Sequence, residues 1–240
     1  MLFTKILNKG LSYLYPQRCP VCHNIVVGAE NKICPGCIKE LPIIKGARCK
    51  KCSKPLIDEE VEYCFDCQHK KHYFDEGYAV LLYDAKMQKS MAYFKFHGRR
   101  EYGEFYAELL IKAAKKVVNR WQIEVLLPVP IHKGRISTRG YNQAEVIGRV
   151  LSQGLTIPIR TDLIKRVKNT KAQKELNIDE RKQNVRNAFA LNSEVANYQK
   201  VLIIDDIYTT GSTVDEIAKE LLKSGVQQVF FLTVCIGGGF

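Results

Sequence analysis

Two sets of residues in this chain of 240 are spaced to do chemistry. The first is the run Val201-Leu-Ile-Ile-Asp205-Asp206-Ile-Tyr-Thr209-Thr210-Gly211-Ser212-Thr213. Its four apolar residues read as a buried strand with two carboxylates at the carboxyl end. A loop of hydroxyls around one glycine follows, and a helix begins at about Val214. The first N–H groups of a helix lack partners and carry partial positive charge, so a phosphate in that loop accepts several of them at once. Gly211 allows a close main-chain approach or a positive φ. Thr209, Thr210, Ser212 and Thr213 add O–H donors. Asp205 and Asp206 would repel a phosphate directly beside them. They suit a neutral diol a few ångströms away, or Mg²⁺ held through its waters. The order strand, acids, hydroxyl loop, helix therefore fits a sugar phosphate. No Gly-Lys-Ser/Thr follows the glycine, which excludes a P-loop.

The second set is eight cysteines. Cys19 and Cys22, Cys34 and Cys37, Cys49 and Cys52, and Cys64 and Cys67 form four Cys-x-x-Cys knuckles, each eleven residues from the next. A tight knuckle aims two sulfurs at one ion, and two knuckles complete a tetrahedral thiolate site. Eight thiolates suit two structural Zn²⁺ ions, closed to water and substrate. Sequential wiring is the shortest, and spacing alone leaves interleaved wiring open. A disulfide framework is the rival reading, but nothing indicates secretion and paired knuckles in a cytosolic chain favour metal. About 70 residues with few large apolar side chains need such ions to hold together. The ninth cysteine, Cys235, sits in the apolar run 229–236 and reads as core.

Bulk properties frame both sets. At 46% hydrophobic and 26% charged the chain has the composition of a soluble globular protein. No apolar run approaches the ~20 residues of a membrane span. The start is mixed and lacks a signal-peptide core, so a short amphipathic helix is expected over residues 1–18. The net charge of +12 favours anionic partners. It concentrates between Lys165 and Arg186, where eight basic residues face three acids.

The elements that must position these residues follow from periodicity. Residues 19–70 read as a double zinc ribbon and 71–240 as an α/β unit. Strands are expected at 78–83, at 125–130, within 157–164, at 201–204 and at 229–235, with Phe189–Leu191 on the sheet edge. Helices are expected at 87–96, 102–118, 143–151 and 214–224, and 165–187 as a long basic loop. Alternating strands and helices imply a parallel sheet with right-handed crossovers, and ligands then collect outside the carboxyl ends of its strands. That places three further segments near the acids: 128–143 with Arg135 and Arg139, the basic loop with Lys165 and Arg166, and Lys95-Phe-His97-Gly98. Asn142 and Gln143 read equally as helix-start hydrogen bonders, Lys95 as a lysine stretched along its helix, and His132, which follows a strand end, as a structural histidine.

The run 201–213 resembles the phosphoribosyl-pyrophosphate (PRPP) signature of type I phosphoribosyltransferases. The knuckles, Lys95-Phe-His-Gly98, Pro128-Val-Pro130, Arg139-Gly-Tyr-Asn-Gln143 and the stretch from Thr170 to Phe189 together resemble the ComF family of late-competence proteins. The resemblance spans nearly the whole chain. It implies a phosphoribosyltransferase-like parallel sheet flanked by helices, preceded by a small zinc-ribbon domain. By position, Asp205 and Asp206 would take the ribose hydroxyls, and the second would steady charge at C1′. Thr209, Thr210, Gly211, Ser212 and Thr213 would cradle the 5′-phosphate, and Arg135 or Arg139 would oppose the pyrophosphate. Lys165, Arg166 and the loop after them would close over the site, with Mg²⁺ bridging the pyrophosphate. The resemblance also implies handling of incoming single-stranded DNA in the cytoplasm, at the inner face of the membrane through partners. Those partners are the competence helicase ComFA and a DprA-type mediator. A transferase acting on an unknown acceptor, a PRPP-binding DNA adaptor and a nucleobase-salvage enzyme remain distinct readings of one signature.

Overall fold

The computed structural model describes residues 16–26, 28, 31–168 and 178–238. Nearly all of the expected N-terminal helix, residues 1–15, lies outside the described residues, as does 169–177 of the basic loop.

The centre is a four-stranded sheet of β1 (Glu76–Leu82), β2 (Val125–Pro128), β5 (Lys200–Tyr208) and β6 (Gln228–Ile236), in the order β1-β6-β5-β2. All pairings are parallel, with Ile203 opposite Phe231 and Leu127 opposite Ile203. Parallel strands covered on both faces need apolar residues at nearly every position, and β2, β5 and β6 supply them. The pleat then divides them. Leu202, Ile204, Phe230 and Leu232 pack with α3 (Ala85–Phe96), α4 (Tyr102–Trp121) and α6 (Gln143–Leu155). Val201, Ile203, Val229 and Phe231 pack with α8 (Ser212–Lys223) on the other face. α4 is amphipathic, burying Phe105, Tyr106, Leu110, Ala114 and Val118 while its lysines stay in water.

Two short helices, α1 (Pro35–Lys39) and α2 (Phe65–His69), each begin inside the second knuckle of a ribbon, with Cys34 and Cys64 at their N-caps. The ribbons cover the exposed edge of the sheet, which would otherwise offer unpaired N–H and C=O groups. Ile44 N donates to Val80 O at 3.0 Å, Leu82 N to Pro42 O at 2.9 Å and Gly77 N to Lys51 O at 2.8 Å. The first ribbon packs Cys19 and Val21 into the α3–α4 side of the core, and the second packs Cys49 and Cys52 beside Phe74 on the α8 side. At the opposite edge, Leu126 N donates to Pro158 O at 2.8 Å.

Two expectations change. Phe189–Leu191 (β4) pairs antiparallel with Ile164–Arg166 (β3) in a separate two-stranded sheet, not with the edge of the main one. The main-sheet edge at β2 is already met through Ile159, so β4 finds its partner elsewhere. Lys165 and Arg166 consequently belong to a strand. The described part of the basic loop also holds a helix, α7 (Ile178–Val185), which its high charge concealed.

Candidate functional site

Because the strands are parallel, their carboxyl ends meet at one rim, and a cleft of about 210 Å³ opens there. Tyr83 follows β1, Val129 and Ile131 follow β2, and Asp205 and Asp206 lie toward the end of β5. α5 (Lys133–Arg139) brings Arg135 and Arg139, β3 brings Arg166, and α3 brings Lys95 and Phe96. Four cations thus line a cleft that holds two carboxylates.

The pleat sends adjacent side chains to opposite faces, and this separates the acids. Asp206 meets Lys95 Nζ at 2.7 Å, on the side of α3. Asp205 sits at the floor of the cleft, where its carboxylate accepts from Asp206 N at 2.9 Å. Loss of water, then the charge of Asp206, pushes the Asp205 carboxyl up to about 7, against the pull of Lys95. Burial also lowers the Arg166 guanidinium to about 10, with Arg135 adding repulsion. Arg139 is lowered by burial as well; it stands 4.7 Å over the Phe96 ring and donates to Gln143 Oε1 at 3.2 Å. Cations already stripped of water give up less hydration when an anion arrives.

The loop between β5 and α8 is shaped by its glycine. Gly211 has φ +77°, and a Cβ there would overlap the Tyr208 hydroxyl and ring. Tyr208 cannot yield, being buried and stacked at 4.6 Å on Phe231. Replacing Gly211 by valine is therefore expected to cost about 2–4 kcal/mol, from the left-handed strain and the clash together. Thermal unfolding checks this, and ligand affinity should fall further because the amides shift. Thr209 and Thr213 face the cleft, whereas Thr210 and Ser212, 2.9 Å apart at their hydroxyls, line a second cavity on the outer side of the loop.

Of the residues singled out in the sequence, the cleft gathers Asp205, Asp206, Thr209, Thr213, Arg135, Arg139 and Arg166. Lys165 is exposed and does not line it, because its neighbour on β3 takes the inward phase. Asn142 and His132 act as caps: Asn142 Oδ1 accepts from Ala144 N at 3.1 Å and His132 Nδ1 from Gly134 N at 3.2 Å. Gln143 is buried at the cleft wall and ties it to α3 through Phe94 O. Lys95 is the residue whose role the sequence left undecided, and the Lys-Phe-His-Gly motif was its signal. Phe96 lies within that motif and Ile131 within the segment 128–143, whereas Tyr83 carries no signal that sequence reasoning could use.

The Lys95 pair yields a pH test. A carboxyl held above its unfolded pKa keeps its proton in the folded chain after the unfolded chain has lost it. Its contribution to stability therefore falls as the pH rises toward the folded value. Lys95→Met removes the nearest cation from the acids and should steepen that fall. The variant is expected to lose about 2 kcal/mol at pH 8 and much less at pH 5.5, where the acid pair carries a proton. Melting curves at the two pH values check it; equal losses would contradict the pairing.

The eight cysteine sulfurs form two clusters, Cys19, Cys22, Cys34, Cys37 and Cys49, Cys52, Cys64, Cys67, each with its sulfurs within 4.8 Å of one another. The wiring is sequential. Cys22 Sγ and Cys34 Sγ are 3.7 Å apart, and Cys52 Sγ and Cys64 Sγ 3.6 Å. That is far beyond a disulfide bond and close to the ~3.8 Å edge of a tetrahedron whose metal–sulfur bonds are ~2.3 Å. All-sulfur donors in that shape fit Zn²⁺. Cys235 is buried in the core as expected.

The chain matches the double zinc ribbon domain over residues 10–68 and the phosphoribosyl transferase domain over 141–238. It is 32% identical to competence protein F of Haemophilus influenzae over 217 residues, covering 88% of this chain and 93% of that protein. It is 27% identical to the DNA utilization protein YhgH of Escherichia coli K12, covering 92% and 97%. It is 28% identical to competence protein ComFC of Bacillus subtilis, covering 82% and 80%. Among the described residues no helix is long and apolar enough to cross a membrane.

Proposed function

The chain belongs to the ComF family, and from that premise we propose that it is a DNA-uptake protein whose cleft binds Mg²⁺-PRPP or a close phosphoribosyl relative. The single observation that carries this reading is the placement of four cations and the β5 carboxylate pair around one cleft beside the Gly211 loop. Asp205 and Asp206 would accept hydrogen bonds from the ribose diol. Thr209 and Thr213, with the loop amides, would hold the 5′-phosphate. Arg135, Arg139 and Arg166 would oppose the pyrophosphate, leaving Lys95 to hold Asp206 in place. Magnesium, when bound, lowers the charge of the pyrophosphate leaving group. The chemistry open to such a site is displacement of pyrophosphate from C1′ by a nucleophile, with fixed positive charge supplying most of the acceleration.

In this reading residues 19–70 are metal-held ribbons that brace a phosphoribosyltransferase-like unit over 71–240. The protein works in the cytoplasm on incoming single-stranded DNA, with a ComFA-type helicase and a DprA-type mediator as partners. The names of the relatives favour DNA handling over nucleobase salvage. The test is pyrophosphate release from Mg²⁺-PRPP, measured alone, with single-stranded DNA and with free nucleobases. Stimulation by DNA supports a transferase of uptake. Tight binding without release supports an adaptor, and release driven by a nucleobase supports salvage.

A further inference from the structure

A second cavity, of about 330 Å³, lies between the tail of the second ribbon and the outer side of the Gly211 loop. We propose that it seats the phosphodiester backbone of a single nucleic-acid strand, an inference that rests on the DNA-handling reading above.

The charge of this cavity is unbalanced by design of its hydrogen bonds. Lys71, Arg186 and Lys219 line it from three separate elements: the ribbon tail, the turn after α7, and α8. Its two acids are already committed. Asp215 accepts from His72 Nδ1 at 2.7 Å and from Tyr73 N at 3.1 Å. Glu216 accepts from Asn187 N at 2.7 Å. Among the described residues no carboxylate makes an ion pair with Lys71, Arg186 or Lys219, whereas neighbouring Lys70 and Lys54 share an ion pair with Asp66. Thr210 and Ser212 add hydroxyl donors to the wall. His72 supports the wall from within. Its side chain is 3% exposed, stacks at 4.9 Å on Phe74, and among the described residues has no partner at Nε2.

The aromatic residues decide between a strand and a small anion. Tyr73 lines the cavity and is 42% exposed; farther along the same ribbon Phe65 is 74% exposed and Tyr63 41%. Phe74 is buried, whereas Tyr73 in the wall and Tyr63 and Phe65 on the ribbon each keep part of a ring open to solvent, Phe65 with its other face against His69. Cations that track a backbone, with open aromatic faces for bases, make a single-strand site. A free phosphate would have no use for those rings. The position also has a consequence for the cleft. Thr209 and Thr213 face the ribose-phosphate side of the loop and Thr210 and Ser212 face the strand side, so both ligands would touch one five-residue loop.

Fluorescence anisotropy with a labelled deoxyoligonucleotide, across a series of salt concentrations, tests the assignment in the full zinc-loaded chain. The triple variant Lys71→Ala, Arg186→Ala, Lys219→Ala should bind about tenfold or more weakly and lose about 2 from the log–log salt slope, three contacts at about 0.7 each. Tyr73→Ala should weaken binding about tenfold with the slope unchanged. None of these residues lines the cleft, so zinc content and Mg²⁺-PRPP affinity should stay at wild-type values and report an intact fold. Lys71→Glu alone gives a milder second variant with the same expected sign. Wild-type affinity and slope in the triple variant would overturn the site. A duplex of equal length binding as well as the single strand would overturn the single-strand assignment, as would displacement by inorganic phosphate at matching phosphate concentration. No oligonucleotide binding by the wild-type chain would instead sink the DNA-handling reading itself.

Discussion

Replacing both Asp205 and Asp206 by asparagine is expected to weaken Mg²⁺-PRPP binding by a factor of about 10² to 10⁴. Two hydrogen bonds from the ribose diol to charged acceptors contribute about 1.5–3 kcal/mol each, and the acids also attract the magnesium. Asparagine keeps the size and one acceptor, so the shape of the cleft should survive while its negative charge is lost. The single variants should separate in stability. Asp205 is raised by desolvation and by its neighbour, so Asp205→Asn removes a charge the fold does not welcome. Its melting temperature should match or exceed that of the wild type above pH 7. Asp206→Asn removes the negative charge 2.7 Å from Lys95 Nζ and should melt lower. A stable protein that cannot bind its ligand is the signature of a carboxylate kept for function. Titration calorimetry reads the affinity, and an affinity unchanged in the double variant would reject the site assignment.

The same two acids show how far the sequence could be read. Their placement at a strand end was legible because four apolar residues precede them and a glycine–hydroxyl loop follows. Local pattern is enough for that. Their different roles were not legible, since the partners come from elements more than a hundred residues apart in sequence for Lys95 and about forty for Arg166. Strand phase alone decides that Arg166 enters the cleft and Lys165 does not, and a three-residue strand carries too few residues to reveal its phase. The same holds for β4, whose partner depends on which edges the rest of the fold leaves open. The parallel sheet, by contrast, followed from alternating apolar runs and amphipathic helices. The knuckle spacing announced two metal sites but left their wiring to the folded chain.

The wiring leads to the second large effect. Cys34→Ser and Cys52→Ser should each reduce bound zinc from two ions per chain to one, because the clusters share no ligand. Their consequences should differ in kind. The first ribbon rests on α3 and α4, where Ser90 Oγ donates to Pro20 O and His23 Nδ1 lies 3.0 Å from the Tyr102 hydroxyl. Losing its metal should loosen that contact and leave the sheet intact. The second ribbon is woven into the sheet edge. Arg48 donates to Ala79 O and to Ile44 O, both at 2.6 Å, and Cys49 and Cys52 are buried in the core beside Phe74 and Phe231. A structural zinc holds its peptide by about 10–16 kcal/mol, and a domain has only about 5–15 kcal/mol in total. Cys52→Ser is therefore expected to lower the melting temperature by about 10 °C or more, at roughly 2–4 °C per kcal/mol. It should also blunt nucleic-acid binding, since Lys71 and Tyr73 hang from that ribbon, while Cys34→Ser retains it. Metal analysis, melting curves and oligonucleotide binding on the two variants measure all three effects. Full zinc retention in either protein would break the sequential assignment, and equal melting temperatures would deny the second ribbon its place in the core.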